Sequence, residues 1–370
     1  MPLGLSYILF TVLSYQIELK RNTIQPEQHI GYFSLYLLFF PRVAQGPLER
    51  PQQLIPQLHQ PHSFDYTLAL EGLKQILWGY FKKLVVADRL AIYVDAIYNN
   101  SEHHNGTTLI VATFFFAFQI YADFSGYTDI ALGSAKIFGI NLTGNFKRPY
   151  LATSIKEFWN RWHITFSFWL RDYVFLPLAY FLSKRMKKQE YMWVATEKWI
   201  YLVASLVTFA ICGIWHGEGW NFLVWGLLFG VFLTYSNWTE KLQKQFRKKL
   251  HIKKTNWLYL FYKTILTFFL VSFTWIFFRA GSLDNAIAIL ENMLTSHGSL
   301  YIPDAQQLVY CVFGILFLVF VEIVQEFKSK NNLPYISGHW YLEQIAYAVL
   351  IIIILTIGVF DGGQFIYFQF

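Results

Sequence analysis

The chain has 370 residues, of which 55% are hydrophobic, 20% aromatic and only 14% charged (30 Lys and Arg, 23 Asp and Glu). A soluble domain is roughly a quarter charged, so that class is excluded, as is disorder by the hydrophobicity and a disulfide scaffold by a count of two cysteines, Cys212 and Cys311, each inside an apolar run. The formal net charge of +7 would suggest a nucleic-acid partner in a soluble protein; here it is read as the cytoplasmic loops of a membrane protein, with no nucleic acid involved.

About 20 apolar residues cross the hydrocarbon core, so charge-free runs of near that length are expected to be membrane helices. Residues 3–17 make a first, short one. Residues 32–40 are too few to span, and Pro41 and Pro47 close them, which suits a re-entrant or interfacial element. Residues 103–122, 199–217, 219–239, 264–278, 305–321 and 344–360 follow, the fourth lengthened upstream by 257–262 across a single Lys263. Seven or more spanning helices are expected, and the fold class is all-α, a polytopic integral membrane protein. The first run is no signal peptide: it lacks a basic start and a small-residue cleavage site, and Glu18, Lys20 and Arg21 follow at once. Lys184, Arg185, Lys187 and Lys188 form one basic cluster; Lys241, Lys244, Arg247, Lys248, Lys249, Lys253 and Lys254 a second; Lys328 and Lys330 a weak third. Two helices separate each from the next, so all fall on one face, assigned to the cytoplasm. The turn near His216 then lies toward the opposite leaflet and the C-terminus outside.

Ionisable groups within apolar stretches usually face a cavity or a partner, and three stretches carry them. Residues 121–129 read Tyr-Ala-Asp-Phe-Ser-Gly-Tyr-Thr-Asp. Gly126 permits a bend, and Asp129 would cap a helix over 130–139; the segment is either a capped helix joint or, through Asp123 and Ser125, the polar wall of a substrate cavity. Residues 156–172 predict a helix with Asn160, His163 and Ser167 on one face, an aromatic flank of Trp159, Trp162, Phe166 and Trp169, and bracketing charges Arg161, Arg171 and Asp172. An interfacial amphipathic helix accounts for the Trp and Arg but not for a central histidine. Residues 213–221 place His216 between Trp215 and Gly217 at the end of a charge-free helix, with three glycines in seven residues and Glu218 beside it. A lone histidine in apolar surroundings is more often structural, yet the glycine-lined turn suits a working base. Imidazole titrates near neutrality and can take a hydroxyl proton and return it to a leaving group. No metal spacing, phosphate-binding glycine loop or Gly-x-Ser-x-Gly elbow occurs, so neither a metal nor a bound cofactor is expected.

Taken together, these stretches resemble the membrane-bound O-acyltransferase (MBOAT) family, in particular its bacterial alginate O-acetyltransferase-like branch. The matching residues, in order, are Phe40-Pro41-Arg42-Val43-Ala44-Gln45-Gly46-Pro47-Leu48-Glu49-Arg50, Gly79-Tyr80-Phe81-Lys82-Lys83, Ala87-Asp88, Asp123 to Ala131, Asn145-Phe146-Lys147-Arg148-Pro149-Tyr150, Glu157 to Ile164, Trp169 to Tyr173, Trp215-His216-Gly217, Trp220-Asn221-Phe222, Trp225-Gly226 and Gln364 to Phe368. The resemblance implies a ring of transmembrane and re-entrant helices around a central channel or funnel. It maps the family's essential histidine onto His216 and its second motif histidine onto His163. It implies an acyl donor, acetyl-CoA or another acyl thioester, entering from the cytoplasm. It also implies membrane lipid around the chain, and an extracytoplasmic SGNH-esterase-like partner, with polysaccharide synthesis machinery, that places the acyl group on a polysaccharide such as alginate. The expected setting is the bacterial inner membrane.

The candidate catalytic residues are therefore His216 and His163, and the candidate substrate-contacting residues Asn160, Trp162, Ser167, Trp215, Asn221, Asp123 and Ser125. The chain is expected to be a single MBOAT domain, residues 1–370, starting where family members usually carry further helices upstream. Glu218 stands where a small residue is common. A non-enzymatic transporter or channel, and an inactive subunit that docks an esterase, are the rival readings.

Overall fold

The computed structural model describes residues 4–327 and 340–360. Helices dominate: α1 (Leu5–Lys20), α2 (Ile30–Leu38), α3 (Pro51–Leu58), α4 (Tyr66–Tyr80), a π-helical turn (Phe81–Ala87), α5 (Asp88–Tyr98), α6 (Gly106–Ile137), α7 (Ile155–Arg161), α8 (Ile164–Leu170) and α9 (Leu176–Arg185). Two short strands, β1 (Glu190–Tyr191) and β2 (Val194–Ala195), precede α10 (Thr196–His216), α11 (Trp220–Lys249), α12 (Trp257–Arg279), α13 (Leu283–Thr295), α14 (Ala305–Phe327) and α15 (Trp340–Ile357). Side-chain caps start several of them. The Asp65 carboxylate accepts from Thr67 and Leu68 N–H at 2.8 and 3.1 Å, and the Asn256 side chain from Leu258 and Tyr259 at 2.9 and 3.3 Å; each satisfies donors that a helix start leaves open.

Five helices are long and apolar enough to cross a membrane among the described residues: α6, α10, α11, α12 and α14. The chain is thus an all-α polytopic membrane protein, with fewer full-length spans than the charge-free runs suggest. The first run forms α1, of 16 residues, and the last yields an apolar helix, Tyr341–Ile357, that is shorter than the five. Of residues 32–40, all but Phe39 and Phe40 fall on α2, whose nine residues rise only about 13 Å, in line with a non-spanning element. The third basic cluster, Lys328 and Lys330, and the motif at 364–368 lie outside the described residues.

Contacts divide the chain into two compact units, one drawn from Met1–Ile92, Phe118–Phe146 and Pro303–Gln369, the other mainly from Tyr93–Ala117 and Lys147–Ile302. In the first, α4 meets α6 through two glycine pairs a heptad apart. A Cβ on Gly72 would lie 2.5 Å from the Gly133 carbonyl oxygen, and one on Gly126 would lie 2.8 Å from that of Gly79. Gly126 therefore serves close approach: α6 runs unbroken through 121–129, and the expected joint does not exist. Asp129 caps nothing; it pairs with Lys82 at 2.7 Å and accepts from Gln75 at 3.0 Å. Lys83 bridges Asp88 at 2.8 Å and Asp123 at 2.7 Å, all three buried. Both lysines lie on the π-helical turn, a geometry often found where a helix is bent to a task. The Phe40-to-Arg50 motif is a packed loop: the buried Arg42 guanidinium donates to the Tyr36 carbonyl, and buried Glu49 accepts from the Thr143 N–H and, at 3.1 Å, its hydroxyl.

In the second unit α10 and α11 form an antiparallel hairpin closed by residues 217–219. At its open end Lys198 and Trp238 exchange side-chain-to-carbonyl hydrogen bonds, both 3.2 Å. The two main basic clusters, 184–188 and 241–254, flank this end, and His216 sits at the other, as the loop charges suggest.

Candidate active site

The site begins with a capped helix. Ser154 caps α7, accepting from Glu157 N–H at 3.2 Å, while the Glu157 carboxylate accepts from Thr153 N–H at 2.9 Å and its hydroxyl at 2.7 Å. This is close to a capping box. The same carboxylate holds Arg161 at 2.7 Å, and the Arg161 carbonyl accepts from Lys147 N–H at 2.9 Å. These bonds fix α7 at its start and end.

The helix then breaks. His163 has φ 42° and ψ 54°, in the left-handed region, and α8 starts one residue later. A continuous helix over 156–172 is therefore a misreading. A left-handed residue interrupts the i to i+4 ladder, and the chain re-forms it from the His163 carbonyl, which accepts from Ser167 N–H at 2.9 Å. Such a backbone costs about 1–2 kcal/mol for a residue with a Cβ and persists where its surroundings determine it, often at functional sites. Asn160 and His163 consequently share no helical face. Asn160 is exposed and His163 is 2% exposed. The Ser167 hydroxyl donates to the Trp162 carbonyl at 3.0 Å, which braces the break. The Trp162 ring stacks on Phe158 at 5.4 Å and lies 5.2 Å from that of Trp275.

His216 is the last residue of α10 and is buried. Its ring lies 4.6 Å from Trp215, 4.9 Å from Trp225 and 5.1 Å from Phe278, centroid to centroid. Phe166 joins the two histidines, 4.9 Å from His163 and 6.5 Å from His216, and Trp215 packs on it at 4.6 Å. The imidazoles thus share one aromatic wall that excludes water. Burial holds the His163 ring well below its ordinary pKa, with His216 adding to the shift, so it is neutral at pH 7. Glu218 is exposed.

Two contacts hold His216 in place. Gly213, one turn before it, lets α11 approach: a Cβ there would lie 2.3 Å from the Phe222 carbonyl oxygen. Because that neighbour is backbone, Gly213→Ala is expected to destabilise by about 1–3 kcal/mol, measured as a lower melting temperature in detergent. Asn221 donates to the Phe277 and Ala280 carbonyls at 3.1 and 2.9 Å, tying the start of α11 to the end of α12. The amide nitrogen is engaged in structure. Asn221→Ala should destabilise by about 1–3 kcal/mol through the carbonyls left buried, whereas Asn221→Asp should not restore them.

Beside the histidines, α7, α8, α10 and α11 enclose a cavity of about 280 Å³ whose wall includes Lys156, Asn160, Ser167, Arg171, Ser205 and Thr208, with Trp159, Phe168 and Phe209. Trp159 is buried, and its indole nitrogen has no acceptor among the described residues. The indole nitrogen of Trp225, fully buried against His216, likewise has none. Asn160 and Ser167 thus line a cavity, Trp215 packs against His216, and Trp162 packs on Phe158 and Trp275. Asp123 and Ser125 belong to the first unit, where Asp123 is paired with Lys83 and Ser125 is buried. Sequence reading missed Trp225, Trp275 and Phe278, because one aromatic in an apolar run looks like another; only the tryptophan's place in the Trp225-Gly226 motif marked it. No group of three or more His, Cys, Asp or Glu side chains that could hold a metal ion occurs among the described residues.

Membrane-length helices, two buried imidazoles on a common aromatic wall and a nearby cavity whose mainly apolar wall carries a few polar groups define a polytopic membrane protein with an internal site. A family model for MBOAT, the membrane-bound O-acyltransferase family, matches residues 19–279, and the chain belongs to that family. It is 34% identical over 276 residues to a peptidoglycan O-acetyltransferase of Helicobacter pylori, covering 73% of this chain and 48% of the relative. It is 31% identical over 326 residues to an Azotobacter vinelandii protein named "Probable alginate O-acetylase", covering 87% and 60%. A teichoic acid D-alanyltransferase of Bacillus subtilis is 26% identical over 247 residues, covering 66% and 61%. The chain spans about half to three fifths of the length of these relatives. Within the family it resembles the alginate O-acetylase-like branch.

Proposed function

We propose that this protein is a membrane-bound O-acyltransferase in which His216 is the general base and the transferred group is acetyl. The observation that carries this reading is the buried His216 at the end of α10, sharing the Phe166 wall with His163. His216 takes the proton of an acceptor hydroxyl, and the oxygen attacks the thioester carbonyl of the donor. The carbon–sulfur bond of the resulting tetrahedral species breaks, and the proton passes from the imidazolium to the departing thiolate. The unpartnered Trp225 N–H beside His216 is the candidate donor to the oxyanion, and a preorganised donor in a dry site is worth more than one in water. His163 orients the acceptor or its neighbours across Phe166.

The cavity with Asn160, Ser167, Lys156 and Arg171 is the proposed donor site: two cations near its mouth suit the phosphates of a donor such as acetyl-CoA, and its aromatic walls suit the pantetheine arm. Acetyl is preferred to D-alanyl because the acetylating relatives are the more similar, at 34% and 31% against 26%. In this reading the donor is cytoplasmic and the acceptor route leads to an extracytoplasmic polysaccharide, as the resemblance of the chain's motifs to the family implies. The chain would sit in the bacterial inner membrane and work with an SGNH-esterase-like partner. A transporter or a docking subunit has no comparable support. The test is transfer from labelled acetyl-CoA by the full chain in proteoliposomes. The double variant Lys156→Glu/Arg171→Glu is expected to raise the donor KM about tenfold with kcat little changed, the mark of lost ground-state binding. An unchanged KM removes the donor assignment of this cavity.

A further inference from the structure

The connection between α9 and α10 is a two-stranded hairpin with Glu190 opposite Ala195 and Tyr191 opposite Val194. Its two-residue turn is Met192-Trp193, with φ 49° and 64°. A turn of this kind is the usual place for Asn-Gly, since both residues must be left-handed. Here two of the bulkiest apolar side chains occupy it, and they are 80% and 98% exposed. The turn is firmly held from behind. The Trp199 indole donates to the Tyr191 carbonyl at 3.0 Å, Thr196 N–H to the Gln189 carbonyl at 3.0 Å, and Trp199 packs edge-on against Trp238.

Two further observations say what covers the tip. Trp193 stands three residues before Thr196, where a helix of membrane length begins, so the turn lies at the level where the chain leaves the hydrocarbon core. Tryptophan favours that level, with its ring apolar and its N–H wet. Just before the hairpin, Lys184, Arg185, Lys187 and Lys188 are all exposed, against two exposed acids, Glu190 and Glu197. A basic cluster beside a bilayer attracts anionic headgroups.

We infer that the hairpin at 190–195 is an interfacial anchor: Met192 and Trp193 enter the headgroup region of the bilayer, and the four flanking cations take the headgroups of anionic lipid. The anchor fixes the first turns of α10, whose Tyr201 and Ser205 line the cavity described above. It stands whether or not that cavity binds an acyl donor.

Cys212 and Cys311 are buried, so Trp193→Cys offers one accessible thiol among the described residues for an environment-sensitive fluorophore. The labelled full chain is placed in phosphatidylcholine vesicles with and without phosphatidylglycerol. Quenching by a headgroup-nitroxide lipid is compared with quenching by aqueous iodide. The nitroxide lipid is expected to quench more strongly than iodide, by at least twofold more once phosphatidylglycerol is present. The phosphatidylglycerol increment should vanish in high salt, which screens exposed charge, and in the variant with Lys184, Arg185, Lys187 and Lys188 changed to Gln. Full iodide access overturns the anchor, as does protection from both quenchers, which would mean that protein covers the tip. Nitroxide quenching indifferent to phosphatidylglycerol overturns the headgroup assignment.

Discussion

His216→Gln is expected to lower acyl transfer by about two to four orders of magnitude, the usual worth of general-base help, while the protein remains folded and inserted. Glutamine is close to histidine in size and can still donate and accept hydrogen bonds, so it keeps most contacts with Trp215, Trp225 and Phe278. What it cannot do is accept a hydroxyl proton and release it. His163→Gln should cost less in rate, because His163 stands across Phe166 from the proposed base, but more in stability, because it sits in a left-handed backbone that its own packing supports. Trp225→Phe keeps the ring and removes the N–H; if that group stabilises the oxyanion, kcat falls by roughly ten- to a hundredfold with KM nearly unchanged. Transfer rates from labelled donor, read beside melting temperatures, separate these outcomes. A glutamine variant as active as the parent would remove His216 from the chemistry.

Lys83→Met is expected to be the most damaging single change to the fold, by about 3–5 kcal/mol. The ammonium touches Asp88 at 2.8 Å and Asp123 at 2.7 Å, and all three side chains are under a tenth exposed. Removing one partner of a buried pair leaves charge without compensation, which is why the effect exceeds the net worth of the pair. Burial already pushes the Asp88 carboxyl up to about 6, against the pull of Lys83. Without the lysine both carboxylates would have to be protonated to remain inside. The double variant Lys83→Met/Asp123→Asn should recover part of the loss, since one buried charge is then gone. Thermal melts of the two variants in detergent test this; equal melting temperatures for Lys83→Met and the parent would show that the triad contributes little.

Much of the architecture follows from run length and charge alone. Five of the apolar stretches are membrane-length helices, and the two main basic clusters flank the end of the α10–α11 hairpin opposite His216, because both signals reflect the cost of burying charge in lipid. The turn at His216 was also legible, since Gly213 and Gly217 next to a histidine require close packing whatever the partner. Other features depend on contacts far apart in sequence. Gly126 reads equally as a bend or as a contact, and only the facing Gly79 decides it. Asp123 and Asp129 look like free carboxylates until Lys83 and Lys82, some forty residues upstream, are placed beside them. Nothing in Trp162-His163-Ile164 announces a left-handed residue, because histidine and its neighbours are all acceptable inside a helix. The hairpin before α10 carries a turn pair that hairpins seldom use, so turn chemistry could not find it.

The proposed thioester cleavage depends on one imidazole, and its most direct measurement is release of free thiol from acetyl-CoA by the purified full chain in proteoliposomes. The expected result is steady release by the parent protein and background release by His216→Gln at an equal amount of folded protein. Equal release by the two, or none by the parent despite measurable binding of acetyl-CoA, would contradict it.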